Sequence, residues 1–172
     1  MYQKGDVVIY SCEGPCVVDS IGPVTITASL AGKDYYTLHP YFAPAGTIYA
    51  PVDAGDRKMR PVITREEALS LIHGLEDIDE IDVPDERNRE NIYKQEIYKR
   101  DVLNCEGLVS LIKAVHVRSR AREACGKKIT AMDDKYSKIA REKLLAELAV
   151  ALDMLPSEAE DYILEQTGQA KR

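Results

Sequence analysis

The sequence predicts an α+β protein, a small antiparallel β-barrel at the N-terminus followed by a bundle of α-helices. Three observations predict it. Up to about residue 63, short β-branched and aromatic runs alternate with Gly- and Pro-containing breaks. Beyond that point the apolar residues recur at helical spacing. Between Glu66 and Glu86 there are nine acidic residues and no Lys or Arg, the composition of a polar linker.

In chain order, the expected strands are Val7-Val8-Ile9-Tyr10, Cys16-Val17-Val18, Val24-Thr25-Ile26-Thr27, Tyr35-Tyr36-Thr37-Leu38, Ile48-Tyr49 and Val62-Ile63. The breaks are Glu13-Gly14-Pro15, Gly22-Pro23, Ala31-Gly32-Lys33-Asp34 and Pro44-Ala45-Gly46, whose Gly and Pro residues supply turn conformations. Thr64-Arg65-Glu66-Glu67 reads as a capping box opening a short helix that Gly74 closes. The acidic run then leads to Pro84, which suits the first turn of another helix. Leu108, Leu111, Ile112 and Val115 stripe one helix that turns basic at Lys113, Arg118, Arg120 and Arg122 and ends at Gly126. Thr130 with Asp133 caps the next, which carries Ile139, Ala140, Leu144, Leu148, Ala151 and Leu152, and Pro156 opens the last. The expected units are residues 1–63 as barrel, 64–84 as short helix and linker, and 85–172 as helical domain.

The chain has 172 residues, 45% apolar and 30% charged, enough to bury a core as one domain or two small ones. No run approaches the ~18 apolar residues of a membrane span, and MYQKGD has no apolar signal core, so a cytoplasmic protein is expected. Cys12, Cys16, Cys105 and Cys125 are scattered and read as free thiols, with Cys12 and Cys16 flanking a hairpin. His39, His73 and His116 match no ligand spacing, so no metal and no cofactor are expected. There is no P-loop, G-x-G-x-x-G or H-E-x-x-H, and the paired carboxylates Asp77, Asp79, Glu80 and Asp82 lie in a solvated linker, so the chain is not read as an enzyme. The net charge of −6 hides a segment from Lys113 to Lys143 with ten basic and four acidic residues.

A distributed pattern adds a resemblance. Gly5, Asp6, Val8 and Tyr10, then Gly14 and Val17, then Gly32, Tyr35 and Leu38, then Ile48-Tyr49-Ala50-Pro51-Val52, and Arg60-Pro61-Val62-Ile63 together resemble the N-terminal module of the CarD/CdnL family of bacterial transcription regulators. The transcription-repair coupling factor has a similar module, but no helicase motif follows here. The stretch Glu142 to Ala149 and the helix from Ser157 to Leu164 are similar to that family's C-terminal domain.

The resemblance implies a Tudor-like (SH3-like) barrel that docks on the RNA polymerase β subunit, and a helical domain that touches promoter DNA at the upstream edge of the melted region and modulates the open complex. Thr47, Ile48, Tyr49 and Pro51 are the implied polymerase-binding residues, by strand addition; Tyr49 stands where the family often has arginine. Arg89 falls where many members have a DNA-wedging tryptophan, and this chain has no tryptophan. An arginine there implies electrostatic groove contact without wedging. Arg87, Arg89, Tyr93, Lys94, Lys113, Arg118, Arg120, Arg122, Lys135 and Lys138 are the candidate DNA-facing residues, with Lys127 and Lys128 beside them. The competing reading is a scaffolding module that binds protein only, its cations paired internally. No membrane partner is expected, and a monomer is expected, with strand exchange between barrels as the route to a dimer.

Overall fold

The structure, a computed structural model, describes residues 1–24, 32–84, 86–99 and 102–168. Thr25, Ile26 and Thr27 of one expected strand, Ala31 of an expected turn and Asp85 at the linker boundary lie outside the described residues.

Strands β1 (Val7–Tyr10), β2 (Gly14–Pro23), β3 (Asp34–Pro40), β4 (Ile48–Pro51) and β5 (Met59–Pro61) form one antiparallel sheet in the order β4-β3-β2-β1-β5. The expected barrel is therefore an open sheet, with β4 and β5 at opposite edges. A physical reason lies in the sequence. Each edge strand ends in a proline, Pro51 or Pro61, which has no N–H to give to a closing ladder. The chain between them is occupied by a 3-10 turn (Val52–Ala54) and the short helix α1 (Gly55–Lys58).

Two turns and one strand also differ from expectation. The first hairpin turns at Ser11 to Glu13, with Ser11 at φ 44°, so Gly14 and Pro15 already belong to β2. Gly14, at φ 95°, lets the strand restart there. Gly22 and Pro23 end β2 instead of forming a turn, paired with Tyr35 and Asp34. Val62 and Ile63 follow β5 instead of forming it. They pack against the helical core, and the Ile63 N–H is taken by the Glu147 carboxylate at 3.2 Å, which draws the chain off the sheet.

The helices are α2 (Arg65–His73), α3 (Arg89–Lys94), α4 (Cys105–Ala124), α5 (Ala131–Leu152) and α6 (Pro156–Gln166). Their limits follow local chemistry. The Thr64 hydroxyl accepts from the Glu67 N–H while the Glu67 carboxylate accepts from the Thr64 N–H, the capping box that the sequence predicts. Thr130 accepts from the Asp133 N–H to open α5, and Pro156 occupies the first turn of α6. Gly126, at φ 71°, follows the last turn of α4. A π-helical turn, Gln95–Lys99, continues α3.

Strand β1 separates two cores because its side chains alternate. Val8 faces inward on the curved sheet with Cys16, Val18, Tyr36, Leu38, Ala50 and Met59. Ile9, equally buried, points the other way into the helical core with Leu108, Leu111, Tyr136, Leu144 and Leu148. At that boundary Arg60 of β5 meets Glu147 of α5. Its Nη1 and Nη2 donate to the two carboxylate oxygens at 2.5 and 2.7 Å, and its Nε donates to Leu103 O at 2.9 Å. Cys105 Sγ donates to the same carboxylate at 3.1 Å. Burial works to lower the Arg60 pKa, but the hydrogen bonds and charge of Glu147 outweigh it and the pKa is raised. Burial and the Glu147 charge push the Cys105 thiol far above its ordinary range.

Removing Glu147 strands Arg60, the Ile63 N–H and the Cys105 thiol together. Glu147→Ala is expected to cost about 3 kcal/mol or more in urea unfolding; a loss below about 1 kcal/mol, the scale of an exposed pair, contradicts this assignment.

Candidate partner and nucleic-acid interfaces

One edge of β4 pairs with β3, with Thr37 opposite Tyr49 and Tyr35 opposite Pro51. Its other edge has no strand neighbour among the described residues. A free edge offers a row of backbone donors and acceptors to an added strand. Thr47, just before the strand, is exposed; Ile48 packs against the sheet's own core; Tyr49 and Pro51 are half-buried. Proline is tolerated where the strand's N–H position faces away from its neighbour. Alternation then turns the N–H and C=O of Tyr49 to the free edge as well.

The candidate DNA-facing residues divide into two groups. Arg89, Tyr93, Lys113 and Arg118 are held by the protein itself. Asp133, fully buried at the start of α5, gathers Arg89 Nε at 3.2 Å, Arg118 Nε at 3.1 Å, Tyr93 Oη at 3.2 Å and Thr130 Oγ1 at 2.6 Å. Glu86 bridges the same two arginines: Arg118 Nη2 donates to it at 2.7 Å, and Arg89 Nη1 and Arg118 Nη1 also pair with it. Two guanidiniums and two hydroxyls thus compensate a carboxylate removed from water. Burial, reinforced by the Asp133 charge, pushes the Tyr93 phenol up to about 12. The hydrogen bond from Arg118 holds Glu86 below the usual carboxylate range, and the same bond raises Arg118. Arg89, expected to face DNA, is only 7% exposed and points into the protein. Lys113 donates to Glu76 O at 3.0 Å and Ile78 O at 2.5 Å, pinning the acidic linker to α4.

The second group lies outside. Arg87, Arg120, Lys135 and Lys138 are exposed, as are Lys127 and Lys128. Arg122 Nε donates to Lys128 O at 2.9 Å and braces the connection between α4 and α5. Lys94 pairs with Glu90 at 3.0 Å, while Lys135 sits 5.1 Å from the Tyr136 ring centroid. Chain continuity puts Arg120, Arg122, Lys127 and Lys128 around one connection, and Lys135 and Lys138, three apart, share a face of α5 just beyond it. The arrangement is a cationic tip suited to a polyanion.

Residues 2–63 match the family model for the CarD-like/TRCF RID domain. The N-terminal sheet is thus similar to a CarD-like/TRCF RID domain. The match is consistent with a CarD/CdnL-like family member, and the chain from Thr64 onward lies outside it. No curated protein matches the chain. The RID domain contains the free β4 edge and Arg60, whose partner Glu147 lies beyond it.

Sequence reasoning missed Glu147 and Asp133 as centres of buried networks. Each left a trace: Glu147 interrupts the apolar run Leu144-Leu145-Ala146-Leu148-Ala149, and Asp133 doubles Asp134 in the first turn of α5. Among the described residues no helix is long and apolar enough to cross a membrane, no group of three or more acidic, Cys or His side chains could hold a metal, and all four cysteines are free.

Because the Glu86 pKa is lowered on folding, its stabilising effect is present above the ordinary carboxylate value of 4.5 and is lost as the pH falls through the lowered one. Below about pH 4.5 the Tm of the native chain should fall more steeply than that of Glu86→Gln, which starts lower at neutral pH. Parallel curves in thermal melts would contradict the bridge.

Proposed function

We propose that the protein is a non-enzymatic, cytoplasmic bacterial transcription regulator that binds RNA polymerase through its RID domain. The observation that carries this reading is the match of residues 2–63 to the CarD-like/TRCF RID domain, whose β4 edge is unpaired among the described residues. The docking partner is the β subunit, which adds a strand along Thr47, Ile48, Tyr49 and Pro51. Once tethered, the helical domain lays Arg120, Lys127, Lys128, Lys135 and Lys138 against promoter DNA near the upstream edge of the bubble and alters open-complex lifetime. Tethering raises the effective concentration, so a modest cationic tip suffices in a chain of net charge −6. Groove entry by Arg89 is left out of this reading, since its guanidinium is engaged by Glu86 and Asp133.

A protein-only scaffold is the second reading. What favours it is that Arg89, Arg118 and Lys113 are all engaged inside the molecule, each of them on the acidic segment that ends at Glu86.

The full chain is expected to be retained by purified RNA polymerase and by its β subunit, and Tyr49→Glu is expected to weaken binding about tenfold. In promoter complexes, replacing Arg120, Lys127, Lys128 and Lys135 with Gln should change open-complex lifetime while polymerase affinity holds. The salt slope should flatten by about 0.9 for each phosphate that no longer meets a cation. An unchanged lifetime and slope would favour the scaffold; no retention by polymerase would overturn both halves of the proposal.

A further inference from the structure

From Pro40 to Val52 the chain carries no Lys, Arg, Asp or Glu. Edge strands are ordinarily protected from unwanted pairing by just such charges. Here the stretch without such charges includes both the free β4 edge, which ends in Pro51, and the loop that feeds it. That loop holds two adjacent aromatic residues, Tyr41 and Phe42, 40% and 39% exposed. Their rings meet edge to face, with centroids 4.9 Å apart and planes at 68°.

The loop is braced before any partner arrives. The Tyr41 N–H donates to Pro15 O at 2.9 Å, extending the β2 side of the sheet past the end of β3. The Ala43 N–H donates to Pro40 O at 3.3 Å, and the Gly46 N–H to Ala43 O at 3.4 Å. His39 Nδ1 lies 2.8 Å from Gly46 O, a contact that requires the proton on Nδ1. The two ends of the loop are therefore tied to each other, which lowers the backbone ordering cost of presenting the aromatic pair. Tyr and other aromatic residues carry a disproportionate share of interface energy when they enter a desolvated pocket. The loop runs directly into Thr47 and Ile48, so the aromatic pair belongs to the connection that enters β4 at its Ile48 end.

We propose that Tyr41 and Phe42 are the side-chain anchor of the β4 docking surface, filling an apolar pocket on RNA polymerase beside the strand that pairs with β4. This inference rests on the reading of the RID domain as the polymerase-binding module. It divides the interface into two parts: backbone pairing along β4 sets register, and the aromatic pair supplies affinity.

The test compares dissociation constants of the full chain for purified core RNA polymerase. The native chain binds, Tyr49→Glu weakens binding, and the double variant Tyr41→Ser/Phe42→Ser weakens it about tenfold or more with an unchanged Tm. If the native chain binds and Tyr49→Glu weakens it but the double variant matches the native chain, the anchor is overturned and the polymerase reading stands. If the native chain does not bind, both are overturned. Should the double variant lose stability, Phe42→Trp gives the chain its one tryptophan, since the natural sequence has none. Labelled with fluorotryptophan, its 19F signal should shift and lose solvent sensitivity when unlabelled polymerase is added; a signal that binding leaves unchanged overturns the anchor.

Discussion

Glu147 is a carboxylate 2% exposed, and the way the two halves of the chain meet depends on it. Its position on α5 puts it at the seam where β5 ends and the helical core begins. It answers two nitrogens of Arg60, one backbone N–H from Ile63 and the thiol of Cys105, so its desolvation is offset from two separate segments, the chain at residues 60–63 and the start of α4. The apolar surroundings make the arrangement all or nothing, since a buried charge that loses its partner has no water to replace it. Ile9 crosses the same seam as an apolar tooth, and Lys143 reaches from α5 to Glu13 O at 2.8 Å, so the first hairpin is tied to the same helix.

The molecule's charges sort around that seam. The acidic segment is not a free tether: Lys113 holds the carbonyls of Glu76 and Ile78, and Ser110 Oγ donates to Asp79 O at 2.6 Å, which lays the segment along α4. Asp133 and Glu86 use up Arg89 and Arg118. What is left outside is the cluster at the connection of α4 and α5, whereas the uncharged β4 edge and its aromatic loop belong to the sheet. A cationic tip and an uncharged strand edge thus sit on different elements of the molecule.

Much of the fold was legible because its signals are local. Thr64 with Glu67, Thr130 with Asp133, Gly126 and Pro156 each act through atoms a few residues away, so spacing alone identified them. The open sheet was not legible, since closure depends on whether two edge strands distant in sequence can pair, and Pro51 and Pro61 speak against it only once both are known to be edges. The inward turn of Arg89 escaped for the same reason. Its partner Asp133 lies on a helix far along the chain, and an arginine's sequence neighbours do not reveal whether it faces water. The +6 of the segment from Lys113 to Lys143 counted Arg118 as a surface charge, although Asp133 and Glu86 neutralise it in space.

The claim that the sheet and the helices form one body is tested most directly by 15N relaxation of the free full chain. Amides of the sheet, such as Val8 and Leu38, and of the helices, such as Leu111 and Leu148, should report the same rotational correlation time, and Glu147→Ala should split it. Two different correlation times in the native chain, with the sheet tumbling faster than the helices, would contradict the account.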